Sequence, residues 1–263
     1  MVLLGSWKEN ERVSDTFIAI YRGVTTGLNH AFVITNATRD ALIAKDPHSV
    51  EIIKPVIRGR DIQRYRAQWA GLWLIDTHNG YGTVSPVNVD KYPAVKDHLN
   101  GFYERLALRQ DKGRTPYNLR NCAYHDEFSK VKLIWMDLTE RGRFAYDEGT
   151  MFCTNSAYMV SGSSLKYLCA VLNSDLITWY IKNSALNSGM GTPRWVRFTV
   201  ERLPIPMLAA SEQNPFIQLV DRILFAKRAD MEADVTDLED EVNRNVLKLY
   251  ALNPKEIQSL RIV

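Results

Sequence analysis

Short runs of β-branched and aromatic residues mark the first half of the chain. Residues 16–21, 31–34, 51–57 and 72–75 predict strands. Pro55 places the third of these at a sheet edge, because a prolyl nitrogen cannot donate to a ladder. Between the first two lies Arg22-Gly-Val-Thr-Thr-Gly-Leu-Asn-His, which predicts a loop with two glycines. Arg58-Gly-Arg-Asp-Ile predicts a second loop, and residues 40–44 a short helix or turn. Over residues 92–109 the period lengthens. Val95, Leu99, Phe102, Leu106 and Leu108 recur at helical spacing, with Pro93 near the start. Residues 131–136 and 157–160 return to strand character. Residues 164–173 and 176–182 read as helices that bury Leu165, Leu168, Val171, Leu172, Leu176 and Trp179. A polar, glycine-bearing loop over 183–192 follows, and Leu203-Pro-Ile-Pro makes a stiff extended connector.

Beyond the connector the pattern is wholly helical. Phe216, Leu219, Val220, Ile223 and Leu224 form one amphipathic face, and Val235, Leu238, Val242, Val246 and Leu249 a second. Thr236 and Glu239 have capping-box spacing. The expected fold class is therefore α+β: a mixed-sheet body over residues 1–207 and a C-terminal helical segment over 208–263. The helical segment has two readings. It docks a protein partner through a two-helix interface, or it packs on the body and completes its core.

Apolar residues are 46% of the 263, and charged residues 24%, which suits a folded chain with its own core rather than a disordered one. The net charge of +3 conceals an asymmetry. From Glu212 onward seven bases face ten acids, so the tail carries −3 and the rest +6. A basic body suits a polyanion, although such a balance is also common in proteins that bind none. Cys122, Cys153 and Cys169 form no Cys-x-x-Cys pair and read as reduced, buried thiols of a cytoplasmic protein. No apolar run approaches the ~18 residues of a membrane span, so no membrane partner is expected. The first residues also lack a secretory signal's layout.

Catalytic patterns are absent. An N6-adenine methyltransferase needs an Asn/Asp-Pro-Pro-aromatic run to hold a flipped base. The nearest approach is Asn214-Pro-Phe, which lacks the second proline. Gly23 with Gly27, and Gly189 with Gly191, do not make a cofactor-binding turn. Asp46, Glu51 and Lys54 only imitate a magnesium-dependent nuclease set. The five histidines are dispersed, and there is no nucleophile elbow. No catalytic residue, metal ligand or cofactor site is assigned to this chain.

Positive signals lie in the arginines. Lys54, Arg58, Arg60, Arg64 and Arg66 fall close together, opposed by Asp61 alone. Arg105, Arg109, Lys112, Arg114 and Arg120 make a second cluster, and Arg194, Trp195 and Arg197 a third. Guanidinium forks suit phosphate clamping or bidentate reading of guanine, and Trp195 suits a wedge beside distorted DNA. The plainer reading of each cluster is a solvated basic face. Trp69, Trp73, Trp135 and Trp179 sit in apolar surroundings and read as core.

Several blocks resemble a known family. Phe17-Ile-Ala-Ile-Tyr-Arg-Gly-Val-Thr-Thr-Gly-Leu-Asn-His-Ala-Phe-Val-Ile is similar to the opening of the TaqI-like specificity domain. Ile53-Lys-Pro-Val-Ile-Arg-Gly-Arg-Asp-Ile, Leu72-Trp-Leu-Ile, Leu106-Ala-Leu-Arg, Lys132-Leu-Ile-Trp, Leu172-Asn-Ser and Leu203-Pro-Ile-Pro follow in the family's order. Leu238-Glu-Asp-Glu-Val and Leu249-Tyr-Ala-Leu resemble its end. That domain forms the C-terminal region of many type IIG restriction enzymes and related adenine methyltransferases. The resemblance implies a sequence-specific reader of double-stranded DNA, preceded in the same polypeptide by a methyltransferase domain. The parent's cofactor would be S-adenosylmethionine, with magnesium where it also cuts. A phage-defence methyltransferase without nuclease activity is the alternative parent. The resemblance carries over the Arg22–Asn29 loop and the Arg58-Gly-Arg-Asp-Ile loop as DNA-facing. With the basic clusters, the expected DNA-binding set is Arg22, Thr25, Thr26, Asn29, Lys54, Arg58, Arg60, Arg64, Arg114, Arg194, Trp195 and Arg197.

Overall fold

The computed structural model describes residues 19–184 and 191–260. Its strands are β1 (Ile20–Arg22), β2 (Val33–Thr35), β3 (Ile53–Ile57), β4 (Leu72–Ile75), β5 (Lys132–Met136), β6 (Phe144–Asp147), β7 (Phe152–Cys153) and β8 (Ala157–Ser161). The α-helices are α1 (Asn29–Phe32), α2 (Asn36–Lys45), α3 (Pro93–Asn100), α4 (Tyr103–Leu108), α5 (Leu165–Leu172), α6 (Asp175–Ser184), α7 (Arg197–Val200), α8 (Ala210–Ala229), α9 (Thr236–Leu249) and α10 (Pro254–Leu260). The strands form two four-stranded sheets. One runs β1-β8-β5-β6 and is antiparallel throughout. The other runs β2-β4-β3-β7 and is antiparallel except for the parallel pair β3–β7. The fold is α+β, as the sequence predicts.

The first sheet is a middle layer. Successive side chains of a strand point to opposite faces, and here both faces are buried. Leu133 and Trp135 of β5 join Phe144 and Val160 in a core completed by α5, α6, α8 and α9. Ile134, with Ala145 and Met159, turns the other way into the core of the second sheet and of α3. This explains the unbroken apolar run in β5. It also places one end charge inside: Lys132 is fully buried and paired with Asp147 across the β5–β6 ladder. Asp147 accepts further hydrogen bonds from Gly149 N, Thr150 Oγ1 and Met151 N, which hold the turn before β7.

Four local expectations change. Residues 31–34 are not one strand: a helical turn, α1, ends at Phe32 before β2 begins. The helical pattern over 92–109 is broken at Gly101 and Phe102 into α3 and α4. Strand β3 is interior, not an edge. Thr154 N donates to Ile57 O, so the two-residue period turns Pro55's missing donor to that same side, just ahead of where the two-residue β7 starts to pair. Thr236 does not cap α9. Asp234 takes the Thr236 N–H at 3.0 Å, and Glu239 is engaged elsewhere. Residues 16–18 of the first expected strand and 185–190 of the polar loop lie outside the described residues.

The helical segment packs on the body. Phe216, Leu219, Val220, Ile223 and Leu224 of α8, with Val242 and Val246 of α9, are buried in the same core as Leu133, Phe144 and Leu168. A loop of the body is fastened to it by two arginines. Arg64 pairs with Glu239 at 2.8 Å and donates to Asn173 O at 2.7 Å, while Arg66 donates to Lys227 O at 2.8 Å. Both predicted helical stripes thus finish a core. Among the described residues no helix is long and apolar enough to cross a membrane.

Candidate functional site

The site is organised by two glycines and one turn. Residues 154–156 link β7 to β8 and lie between the two loops picked out in the sequence. Val24 N donates to Cys153 O and Asn155 N to Val24 O, which presses the first loop against this turn. A Cβ at Gly23 would lie 2.1 Å from Thr154 O. From the other side Gly59 N donates to Ser156 Oγ at 3.0 Å, and a Cβ there would lie 2.7 Å from Ser156 O. Only glycine permits so close a backbone approach on either flank.

That approach brings the neighbouring arginines together. Arg22, Asn29, Arg58, Gly59, Arg60, Asp137, Asn155 and Ser156 line one open groove of about 550 Å³. Arg22 donates from Nε to Asn155 O at 2.9 Å, which leaves its terminal nitrogens toward solvent. Arg58 is committed differently. Its Nε and a terminal nitrogen both reach Asp61 at 2.8 Å, and hydrogen bonding to that carboxylate holds its proton still more firmly than usual. Arg60 is exposed and has no carboxylate partner among the described residues. Arg194 reaches the groove's edge through Asp137, at 2.9 and 3.3 Å, and this hydrogen-bonded pair raises its pKa. The groove therefore mixes neutralised guanidinium groups with free ones. It can take an anion, or a flat edge carrying hydrogen-bond acceptors.

A second recess of about 550 Å³ adjoins the first loop, lined by Asn79, Gln110, Asp111, Lys112, Gly113, Arg114, Arg120 and Asn121. The buried guanidinium of Arg109 joins the two regions. It donates to the carbonyls of Thr26, Asp111, Pro116 and Asn118, and burial lowers its pKa to about 10. Asn118 in turn donates to Val87 O at 2.9 Å, and Arg114 N to Asn79 Oδ1 at 2.6 Å. The segment that follows α4 is thus pinned along its length.

Of the twelve residues expected to face DNA, Arg22, Asn29, Arg58 and Arg60 come together in the groove, Arg194 stands at its edge, and Arg114 lines the adjoining recess. Arg197 is exposed and pairs with Glu201. Thr25 is half-buried in the first loop. Lys54 lies at the far end of β3, near Glu51 and His78. Three placements are corrected. Trp195 is fully buried; its Nε1 donates to Thr139 O at 2.9 Å and its ring meets Phe144 edge-on, so it anchors the core and cannot act as a wedge. Thr26 is buried and fastens the loop through Asn29 Oδ1 at 2.6 Å and Leu28 N at 3.1 Å. Arg64 is consumed by Glu239 and Asn173, as described above. Asp137, Asn155 and Ser156 were not expected at the site. They carry no basic signal, and only the fold sets them beside Arg22 and Arg60.

Elsewhere, Asp46 and Glu51 serve structure. Asp46 caps His48 N and Ser49 Oγ, and Glu51 accepts from Tyr92 OH at 2.9 Å. Two histidines distant in sequence do meet. The His125 ring pairs with Asp76 at 2.9 Å, packs beside His78 and stacks on Tyr81. Burial is the main cause that lowers the His78 pKa. No group of three or more His, Cys, Asp or Glu among the described residues could hold a metal ion. Cys153 and Cys169 are buried free thiols pushed up to about 12, and burial raises Cys122 to about 11.

Residues 54–205 match the family model of the TaqI-like C-terminal specificity domain. Two solved structures share the fold. The type IIL restriction-modification enzyme MmeI, in complex with DNA, aligns with a TM-score of 0.71 and 11% identity, covering 96% of this chain and 37% of MmeI. The type IIG restriction endonuclease BpuSI aligns with a TM-score of 0.53 and 14% identity, covering 95% of this chain and 32% of BpuSI. The chain spans about a third of the length of each.

Proposed function

We propose, since this chain belongs to the family of TaqI-like C-terminal specificity domains, that it selects the site on double-stranded DNA at which a larger restriction-modification protein acts. One observation carries this reading: Arg22, Asn29, Arg58 and Arg60, from separate segments, line a single groove with Asn155 and Ser156. The free guanidinium of Arg60 suits the two acceptors of guanine, or a phosphate, and the amides of Asn29 and Asn155 suit the donor-acceptor edge of adenine. Arg58 and Arg194, already held by Asp61 and Asp137, position the loops.

In this reading the chain contributes no catalytic group. The chemistry belongs to a methyltransferase domain earlier in the same polypeptide, which uses S-adenosylmethionine to modify an adenine N6. A nuclease would make the parent a type IIG-like enzyme, and its absence a phage-defence methyltransferase. The sequence upstream of this segment in its gene separates the two.

Fluorescence anisotropy with a labelled mixed-sequence duplex tests the reading. Binding should weaken by at least ~100-fold between ~50 mM and ~200 mM salt, as the release of several counterions requires. Selection from a randomised duplex library should then yield one consensus site, and Arg60→Ala should relax it. A folded protein that binds no duplex at low salt would falsify the proposal.

A further inference from the structure

We infer that Leu108 is a wedge that enters a base step of the bound duplex. The inference rests on the DNA reading above and assigns a residue that neither charge nor groove lining selects. Leu108 is 84% exposed. Isolated exposed leucines are ordinary on protein surfaces, so exposure alone decides nothing. The setting of this one does. It is the last residue of α4, and the next residue is Arg109, whose buried guanidinium holds four carbonyls. The backbone at Leu108 is therefore fixed from directly behind. An apolar side chain that must separate stacked bases needs such support, because unstacking is costly and a yielding backbone would retreat instead.

Charge around Leu108 points to the same occupant. Arg105, Lys112 and Arg114 are exposed and carry no carboxylate partner among the described residues. Lys112 donates to Ala107 O, which sets its ammonium beside the leucine's own turn of chain. Arg120 is exposed and paired with Asp111 at 3.1 Å. Glu104, one turn earlier on α4, is the exposed acid among these cations; an apolar protein surface gains little from such neighbours, whereas a phosphate backbone on either side of an opened base step is matched by them. The wedge is also continuous with the proposed reading groove. Arg109 donates to Thr26 O in the first loop, and a Cβ at Gly27 would lie 2.9 Å from Asp111 Cβ. The first loop thus connects the proposed reading groove to the segment that carries Leu108.

The test uses two duplexes of one mixed sequence, intact or with a single abasic site in the middle. An abasic gap removes the unstacking cost, and protein sliding along the duplex settles where its wedge meets the gap. The full chain should bind the abasic duplex at least ~5-fold more tightly than the intact one. Leu108→Ala should bring that ratio to about one, with an unchanged salt slope because no charge is lost. Leu108→Met, an apolar residue of similar length, should keep the preference. Thermal melting controls for folding, and so exposed a side chain should leave it nearly unmoved. A preference that survives Leu108→Ala overturns the inference. So does a wild-type chain that binds both duplexes equally, an outcome that leaves the DNA reading standing. Failure of the folded chain to bind either duplex overturns that reading as well.

Discussion

At Gly59 a methyl group would meet Ser156 O at 2.7 Å, and at Gly23 it would meet Thr154 O at 2.1 Å. Both obstacles are backbone, which cannot swing aside as a side chain can. Gly59→Ala and Gly23→Ala should each lower stability by about 1–3 kcal/mol, the usual range for overpacking. The measurement is the urea midpoint at constant m-value; an unchanged midpoint would show that the 154–156 turn yields freely. The two arginines that flank Gly59 should diverge in the same assay. Arg58→Ala takes both guanidinium donors from Asp61, whose side chain is only 9% exposed, leaving it the residue 58 backbone N–H, and should cost stability by about 1–3 kcal/mol. Arg60→Ala removes an exposed guanidinium with no carboxylate to strand, and the midpoint should stay where it is while DNA binding falls. The sequence offers these arginines as equals. Composition supplies the charge, but only Asp61, three residues beyond Arg58 and folded back on it, tells which charge is spent.

Among the elements, strands with both faces buried were legible in the sequence because they are apolar throughout, as in Leu133 to Trp135. The two C-terminal helical stripes were legible by their spacing, and they sit where that spacing puts an apolar face, against a core. Direction was not legible. A run of arginines announces a basic segment, yet Arg64 and Arg66 turn inward to Glu239 and Lys227 O, on helices more than 150 positions away in the chain. Trp195 between two arginines looks like a wedge, and its burial depends on Thr139 and Trp135, which no local window contains. Likewise Asn155 and Ser156 become groove residues only because β7 pairs in parallel with β3 and β8 then turns back to β1. The Arg64 clasp gives a prediction at this scale. Arg64→Ala leaves a mostly buried Glu239 carboxylate and the Asn173 carbonyl without their donor, so stability should fall by about 1–3 kcal/mol. DNA affinity of the folded fraction should not change. A loss of affinity at unchanged melting temperature would return Arg64 to the interface.

Taken whole, the molecule keeps its acidic helical layer on one face of the middle sheet, and the proposed interface draws on loops from elsewhere, so its charge balance can be tested by salt. Each cation that sits on a phosphate releases counterions on binding and adds about 0.9 to the magnitude of the slope of log K against log salt. Arg60 and Arg114 are exposed and free of carboxylates among the described residues, whereas Arg58 is neutralised by Asp61. If Arg114 rests on a phosphate, Arg114→Ala should lower the slope by about one for every DNA sequence alike. Arg60, placed in the groove with Asn29 and Asn155, has a different expected signature: affinity for the selected site falls, the slope changes less, and discrimination at one base pair weakens by about 1–3 kcal/mol. Arg58→Ala leaves the Asp61 carboxylate uncompensated beside the groove, so affinity for both duplexes should fall alike while the preference between them stays. Slopes measured for the three variants on the selected duplex and on a scrambled one separate phosphate holders from base readers. Equal slopes in all three would mean that the groove and its neighbouring recess do not face the double helix.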